Sequence, residues 1–306
     1  GSDLTRLMVS LGACLLLGEL ANKLDWLTGG ADGLQGVVMG KLLGQSVVVD
    51  NRTGGSGAVG TLAVARAPAD GYTLLVTTIT TVVQVPLVTK DPRFDPVKSL
   101  TPVANIAMAP LVLLAHKGVP ADDYQGFVAW ARQQPKGVDV AVAGPTLEVA
   151  TALLNKEAKL NLVNITYRGG GPALQAVLAG DVKVMFQPPS VQMNEFIKQG
   201  KLKVLGVTSA QPSAAVPGGV PISKFVPNYV QDINFALWAP AGTPANVVAK
   251  LGEAVRKALA ENGMEDKFVG FGAPLAVAGA AEVTRITQRE ASNIKTIMET
   301  TNVKFE

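Results

Sequence analysis

Short apolar runs alternate along this chain with longer stretches whose apolar residues recur at three- and four-residue intervals, the pattern of strands joined by helices. The runs 46–50, 73–77, 111–115, 138–142, 162–167, 182–186, 203–208 and 235–239 read as strands. Two helices are signalled most clearly. In "GTPANVVAKLGEAVRKALAENG", Thr243 suits an N-cap, Pro244 the first helical position, and Val247, Val248, Leu251, Val255 and Leu259 form one stripe that Gly263 can end. In "RGGGPALQAVLAGD", Pro172 starts a short helix, Leu174, Val177 and Leu178 face inward, and Gly180 stops it. Strands followed by helices in this order predict an α/β fold.

Proline marks two seams. "KDPRFDPVKSLTPV" (90–103) and "AQPSAAVPGGVPISKFVPN" (210–228) interrupt the alternation and predict surface excursions where the chain passes between lobes. One lobe would then take residues 104–230, and the other would combine 1–103 with 231–306. No internal repeat or low-complexity tail is visible.

The stretch "SVVVDNRTGGSGAVGTLAVARA" (46–67) has the strand, glycines and helix of a dinucleotide-binding fingerprint. That fingerprint turns directly off its strand and places an acid about 20 residues on, at the end of the next strand. Here Asp50 to Gly54 intervene before Gly55, and "YTLLVTTITTVV" carries no carboxylate. The segment therefore reads as a structural turn.

Composition narrows the classes. The 306 residues are 48% hydrophobic and 17% charged, enough for two cores, and no apolar run approaches the roughly 18 residues of a membrane span. The net charge of +3 is spread singly over residues such as Lys90, Lys117, Lys136 and Lys159, which argues against nucleic acid as a partner. One cysteine, Cys14, and one histidine, His116, exclude an internal disulfide and metal sites needing several of either. Both stand in or beside apolar runs and read as packed residues. The opening "LTRLMVSLGACLLLGELA" has the shape of a secretory signal, or alternatively begins with the first strand, "LTRLMV".

Three loops could carry chemistry. In "AVAGPTLEVA", Gly144 can cap a helix begun by Pro145, so the amides of Thr146 and Leu147 and the Thr146 hydroxyl form an anion cradle. In "ITYRGGGPAL", Tyr167 and Arg168 stand at a strand end and Gly169 begins a glycine run that admits close backbone approach. "TTITTVVQ" puts Thr77 and Thr78 at another strand end. All three follow the carboxyl ends of strands, where open α/β sheets hold ligands. An α/β enzyme, for example a transferase acting on a small carboxylate or phosphate ester, would need a general base, for which His116 and Glu148 are the candidates. No nucleophile elbow or metal-ligand spacing is present.

Several segments together resemble the substrate-binding receptors of tripartite tricarboxylate transporters, the Bug receptors: "LGQSVVVDNRTGGSGAVGT", "APADGYTLLV", "FDPVKSLTPVA", "YRGGGPALQAVLAGDVKVMF", "GKLKVLGVTSAQ" and "LWAPAGTPANVVAKL". The resemblance implies a two-lobed periplasmic binding protein of the second type, with mixed sheets flanked by helices and a ligand cleft between the lobes. It implies a monomer that binds a small organic acid and delivers it to membrane permease subunits, with no cofactor, metal or catalytic residue. By the same resemblance "AGPTLEVA" stands where the family reads Ala-Gly-x-Gly-Ser-Thr-x-His-Leu-Ala. Gly144 and Thr146 carry over, the loop is two residues shorter, and Val149 replaces the histidine. The family's other anion loop, Pro-Gly-Gly-x-Thr-Asp, matches "LTGGADG" with Gly29, Gly30 and Asp32. In the alternative register "LTRLMVS" is the first strand and Leu11 to Cys14 a degenerate loop. Where many relatives have aspartate after "VKVMF", this chain has Gln187, which implies a di- or monocarboxylate without an ammonium group.

Overall fold

A computed structural model describes residues 7–13, 37–53, 57–89 and 93–300. Their strands form two sheets. The first takes β1 (Leu7–Ala13), β2 (Val47–Thr53), β3 (Thr73–Thr78), β4 (Leu100–Pro110), β10 (Asp232–Pro240) and β11 (Leu275–Gly279), in the order β11-β4-β10-β3-β1-β2. The second takes β5 (Val112–His116), β6 (Val138–Val142), β7 (Leu162–Thr166), β8 (Val184–Gln187) and β9 (Leu202–Val207), in the order β7-β6-β8-β5-β9. β1 runs parallel between β2 and β3, with Val9 opposite Val49 on one side and Leu74 on the other. That is the strand reading of "LTRLMV" for Leu7 to Val9, but the strand runs on through Leu11 to Ala13, which the alternative register had given to a loop.

Two strands escaped the sequence pattern. β4, "LTPVANIAMAP", is rich in alanine and carries prolines, and the seam expected at 103/104 falls inside it. Its prolines are accommodated because Pro102 meets Trp238 at an irregularity in the ladder and Pro110 is the last residue. β11, "LAVAG", is a short edge strand of small residues.

The chain changes sheets at a single residue, Leu111, between β4 and β5, and returns through 208–231. The crossings are stitched together. The Leu111 amide donates to Thr208 Oγ1 at 2.8 Å, the Thr208 amide to the Leu111 carbonyl at 3.0 Å, and the Gln231 amide to the Thr208 carbonyl at 3.2 Å.

Helices cover both sheets. α1 (Val37–Leu43), α2 (Ala58–Ala65), α3 (Ile79–Thr89), α8 (Ala245–Leu259), α9 (Met264–Gly270) and α10 (Ala280–Thr300) belong with the first. α4 (Tyr124–Ala131), α5 (Pro145–Ala158), α6 (Gly170–Ala179) and α7 (Val191–Lys198) belong with the second. Trp238, Leu74 and Ile79 in one unit and Phe127 and Phe186 in the other are fully buried, each contributing roughly 1.5–3 kcal/mol of apolar transfer.

The glycine-rich turn opens α2: Gly57, at φ 91°, is its N-cap, and Thr61 Oγ1 donates to the Gly57 carbonyl. Two expected helix starts shift. Pro244 is the N-cap of α8, and Thr243 Oγ1 donates back to the Pro240 carbonyl at 2.8 Å, closing the preceding turn rather than capping the helix. α6 begins at Gly170, before Pro172, and ends at Gly180 with φ 82°. Leu251, Val255 and Leu259 of α8 are buried as the stripe predicts, while Val247 and Val248 are half-buried.

Candidate functional site

The strand directions decide which loops meet. In the first sheet β10 runs antiparallel to both β3 and β4, with Phe235 opposite Thr78 and Asp232 opposite Pro110. The carboxyl ends of β3 and β4 therefore lie on the edge where β10 begins. In the second sheet β6, β7 and β8 are parallel, and β5 runs against β8 with Val112 opposite Gln187. Their carboxyl ends lie where β5 begins. Since only Leu111 separates Pro110 from Val112, these two edges face each other across the crossing.

The second-sheet edge holds both glycine loops. Gly144, at φ 101° and ψ 165°, is the N-cap of α5, with Pro145 in the first turn. Gly169 is the N-cap of α6 in extended backbone. The Tyr167 amide donates to the Val142 carbonyl at 2.8 Å, which sets the two loops side by side. A Cβ at Gly144, Gly169, Gly170 or Gly171 would meet no atom within 4 Å, so both loops open onto free space. Neither helix has a side-chain cap, whereas Asp123 caps α4 by accepting from the Gly126 amide and Ser190 caps α7 by accepting from the Met193 amide. The expected α5 cradle is only half kept: Pro145 has no N–H and the Leu147 amide turns back to the Gly144 carbonyl at 3.2 Å, which leaves Thr146 in α5 and Gly170 and Gly171 in α6 as the leading amides at the positive dipole ends of these helix starts.

Thr146 and Tyr167 are half-buried and Arg168 exposed on this edge. Gln187, the last residue of β8, is 7% exposed, and among the described residues its side chain makes no hydrogen bond. Opposite, Thr77 and Thr78 end β3. The hydroxyls of Thr78 and Thr81 bond each other at 2.8 Å, and the Thr81 amide donates to Thr78 Oγ1, so this cluster is partly self-satisfied. Gly29, Gly30, Asp32 and Cys14 lie outside the described residues; β1 ends at Ala13, before all four.

The two candidate bases do not meet. Glu148, in the first turn of α5, accepts from Thr166 Oγ1 at 2.9 Å. His116 ends β5 at the opposite edge, where its amide donates to the Lys183 carbonyl and its Nδ1 accepts from the Gly118 amide at 3.0 Å. Partial burial, then the charges of Lys183 and Lys117, hold the imidazole below its usual pKa. A groove of about 600 Å³ lined by Tyr124, Arg132, Lys159 and Phe225 involves the far end of α5 and none of the expected ligand residues. Among the described residues no three His, Cys, Asp or Glu side chains group as a metal site.

Sequence reasoning missed a polar cluster behind the facing edges. Glu290 of α10 accepts from Thr80 Oγ1 at 2.7 Å and is 4% exposed, and Asp232, the first residue of β10, is 5% exposed. Burial pushes the Asp232 carboxyl up to about 7, opposed by the Arg289 charge and a Thr208 hydrogen bond. Burial likewise raises Glu290 to about 7, opposed by Thr80 and Arg289, with the Asp232 charge adding to the rise. One oxygen of each, Oδ1 and Oε1, together with Arg289 Nε and Gln84 Nε2, has no partner among the described residues. The sequence signal was an acid heading the wholly buried strand "DINFALWAP".

Two α/β units whose strand ends face each other, with uncapped helix starts on one edge and hydroxyls on the other, have the geometry of a clamshell solute-binding protein. Residues 35–303 match the model of the tripartite tricarboxylate transporter family receptor. The chain is 30% identical over 244 residues to protein BugT of Bordetella pertussis, covering 77% of this chain and 73% of that one. It superposes on MatC of Rhodopseudomonas palustris with bound malate at a TM-score of 0.67, with 26% identity and coverage of 95% and 98%. A second R. palustris protein, solved with adipate, superposes at 0.71 with 25% identity and 96% coverage of each chain. The chain belongs to the tripartite tricarboxylate transporter receptor family and is a solute receptor of the fold that the family shares.

Proposed function

We propose that this receptor closes its two lobes on a small di- or monocarboxylate lacking an ammonium group and delivers it to the membrane permease subunits of a tripartite transporter, working as a monomer in the periplasm. In this reading the lobes are built on the two sheets, joined at Leu111 and along 208–231. The carboxylate is held by the leading amides of α5 and α6 and the Thr146 hydroxyl, with Gly144, Pro145 and Gly169 setting the backbone, Tyr167 and Arg168 on the rim, and Thr77 and Thr78 opposite. Gly29, Gly30 and Asp32 would complete the cradle from the first lobe. The observation that carries it is where two uncapped helix starts fall: within the second sheet's helices, α5 and α6 start at adjoining glycine loops open to free space on the facing edge, while α4 and α7 are capped by side chains.

Gln187 supports the choice of ligand. A buried amide offers both a donor and an acceptor to a neutral or anionic group, but no charge to hold an ammonium. The structures solved with malate and with adipate fit the same class. Amide dipoles replace the acid's hydration without burying an opposite charge, and closure follows from tighter binding to the closed form than to the open one. Calorimetry with malate, adipate, longer dicarboxylates and a set of amino acids tests this. The expected outcome is preferential binding of a carboxylate without an amine, and preference for an amino acid would overturn it. No helix among the described residues is long and apolar enough to cross a membrane.

A further inference from the structure

The lobes also touch away from the glycine loops. Gly272 follows α9 on the first lobe, and Pro189 follows β8 on the second, two residues past Gln187. Both are buried. A Cβ on Gly272 would stand 2.5 Å from the Pro189 carbonyl oxygen, 3.0 Å from its Cβ and 3.1 Å from its carbonyl carbon. Two of these three atoms are main chain, so no side-chain rotation can relieve the overlap.

Gly272 also has φ +80° and closes the end of α9, its amide donating to the Val269 carbonyl at 2.9 Å and the Ala273 amide to the Phe268 carbonyl at 3.0 Å. A left-handed turn by itself explains a glycine. The lobe contact is a second constraint, which other left-handed glycines lack. Gly263, at φ +81° on the same helix, has nothing within 4 Å of its would-be Cβ, and neither does Gly242 at φ +85°.

We infer that Gly272 is a positioning residue for ligand capture: its bare backbone against Pro189 sets how far the first lobe approaches the loop that carries Gln187. A side chain at 272 would hold the lobes apart at this point and draw the Gln187 loop away from the opposing edge. The inference rests on the reading that the ligand lies between the lobes.

The test compares Gly272→Asn with Gly263→Asn, asparagine being the non-glycine residue best suited to positive φ. Small-angle scattering of the free proteins reads the lobe setting, and calorimetry with malate and adipate reads capture. Gly272→Asn should show a larger radius of gyration and about tenfold or more weaker binding, a shift of the closed population that Gly263→Asn, within about twofold of the parent, does not show. Equal radii for both variants and the parent would overturn the inference. Should the parent take up neither acid, the choice of ligand class fails while the radius still decides the role of Gly272. Should Gly272→Asn not fold, Gly272→Ala adds the Cβ alone, 2.5 Å from the Pro189 carbonyl oxygen. A larger radius than the parent's then supports the inference, and an unchanged one refutes it.

Discussion

The facing edge of the second lobe and the seam behind it are both polar, but they are built on opposite principles. At the edge, the groups offered are main-chain amides, small hydroxyls and the Gln187 amide, on glycines whose surroundings are open. At the seam, two carboxylates, Asp232 and Glu290, are shut away with Arg289, Thr80 and Thr208. A dipole can wait for an anion at little desolvation cost, whereas a buried charge must be satisfied or neutralised at all times. The edge is therefore suited to exchanging a ligand, and the seam to holding the crossings in register while making stability depend on pH.

The contrast breaks most sharply at Arg289. Arg289→Ala removes the one charge that lowers both buried carboxyls and should cost on the order of 3 kcal/mol at pH 8 and less at pH 5, where both acids are protonated, as denaturant titration at the two pH values would show. Next comes Gly144→Ala. A φ of 101° with ψ 165° is glycine backbone, so alanine should cost about 2 kcal/mol through strain and weaken carboxylate binding about tenfold by turning the α5 amides away. Calorimetry beside thermal melting separates the two losses.

Glu290→Gln should act in the opposite direction. Because the folded-state pKa values of Glu290 and Asp232, both about 7, lie above ordinary carboxyl values, the folded protein binds more protons than the unfolded chain between about pH 4 and 7. Stability should be fully present below that window, fall as pH rises through it and level off above it. The variant, which cannot ionise, should flatten this slope and gain about 1–2 kcal/mol at pH 8, read from melting curves across pH. The smallest effect belongs to His116→Gln. On the edge away from the proposed ligand loops, it should leave carboxylate affinity within about twofold and stability within about 0.5 kcal/mol.

Much of the fold was legible. Runs such as 138–142 and 162–167 became strands almost residue for residue because apolar alternation follows directly from burial. β4 was not legible, since "LTPVANIAMAP" reads as weak and broken until β10 and β11 flank it on both sides. The Gly144 cap was visible as a local rule of glycine followed by proline at a helix start. The Asp232–Glu290 cluster was not, because the two residues are far apart in the chain and their unusual protonation comes from burial.

By itself the sequence determined the α/β class, the glycine start of α5 and the resemblance to a receptor family, since each depends on neighbouring residues and on backbone preferences that travel with them. Only the tertiary structure decided that the chain crosses at Leu111, that Gly272 lies bare against Pro189 and that two acids share a buried seam. These follow from which distant segments come within a few ångströms of each other, and short-range pattern carries no record of that distance.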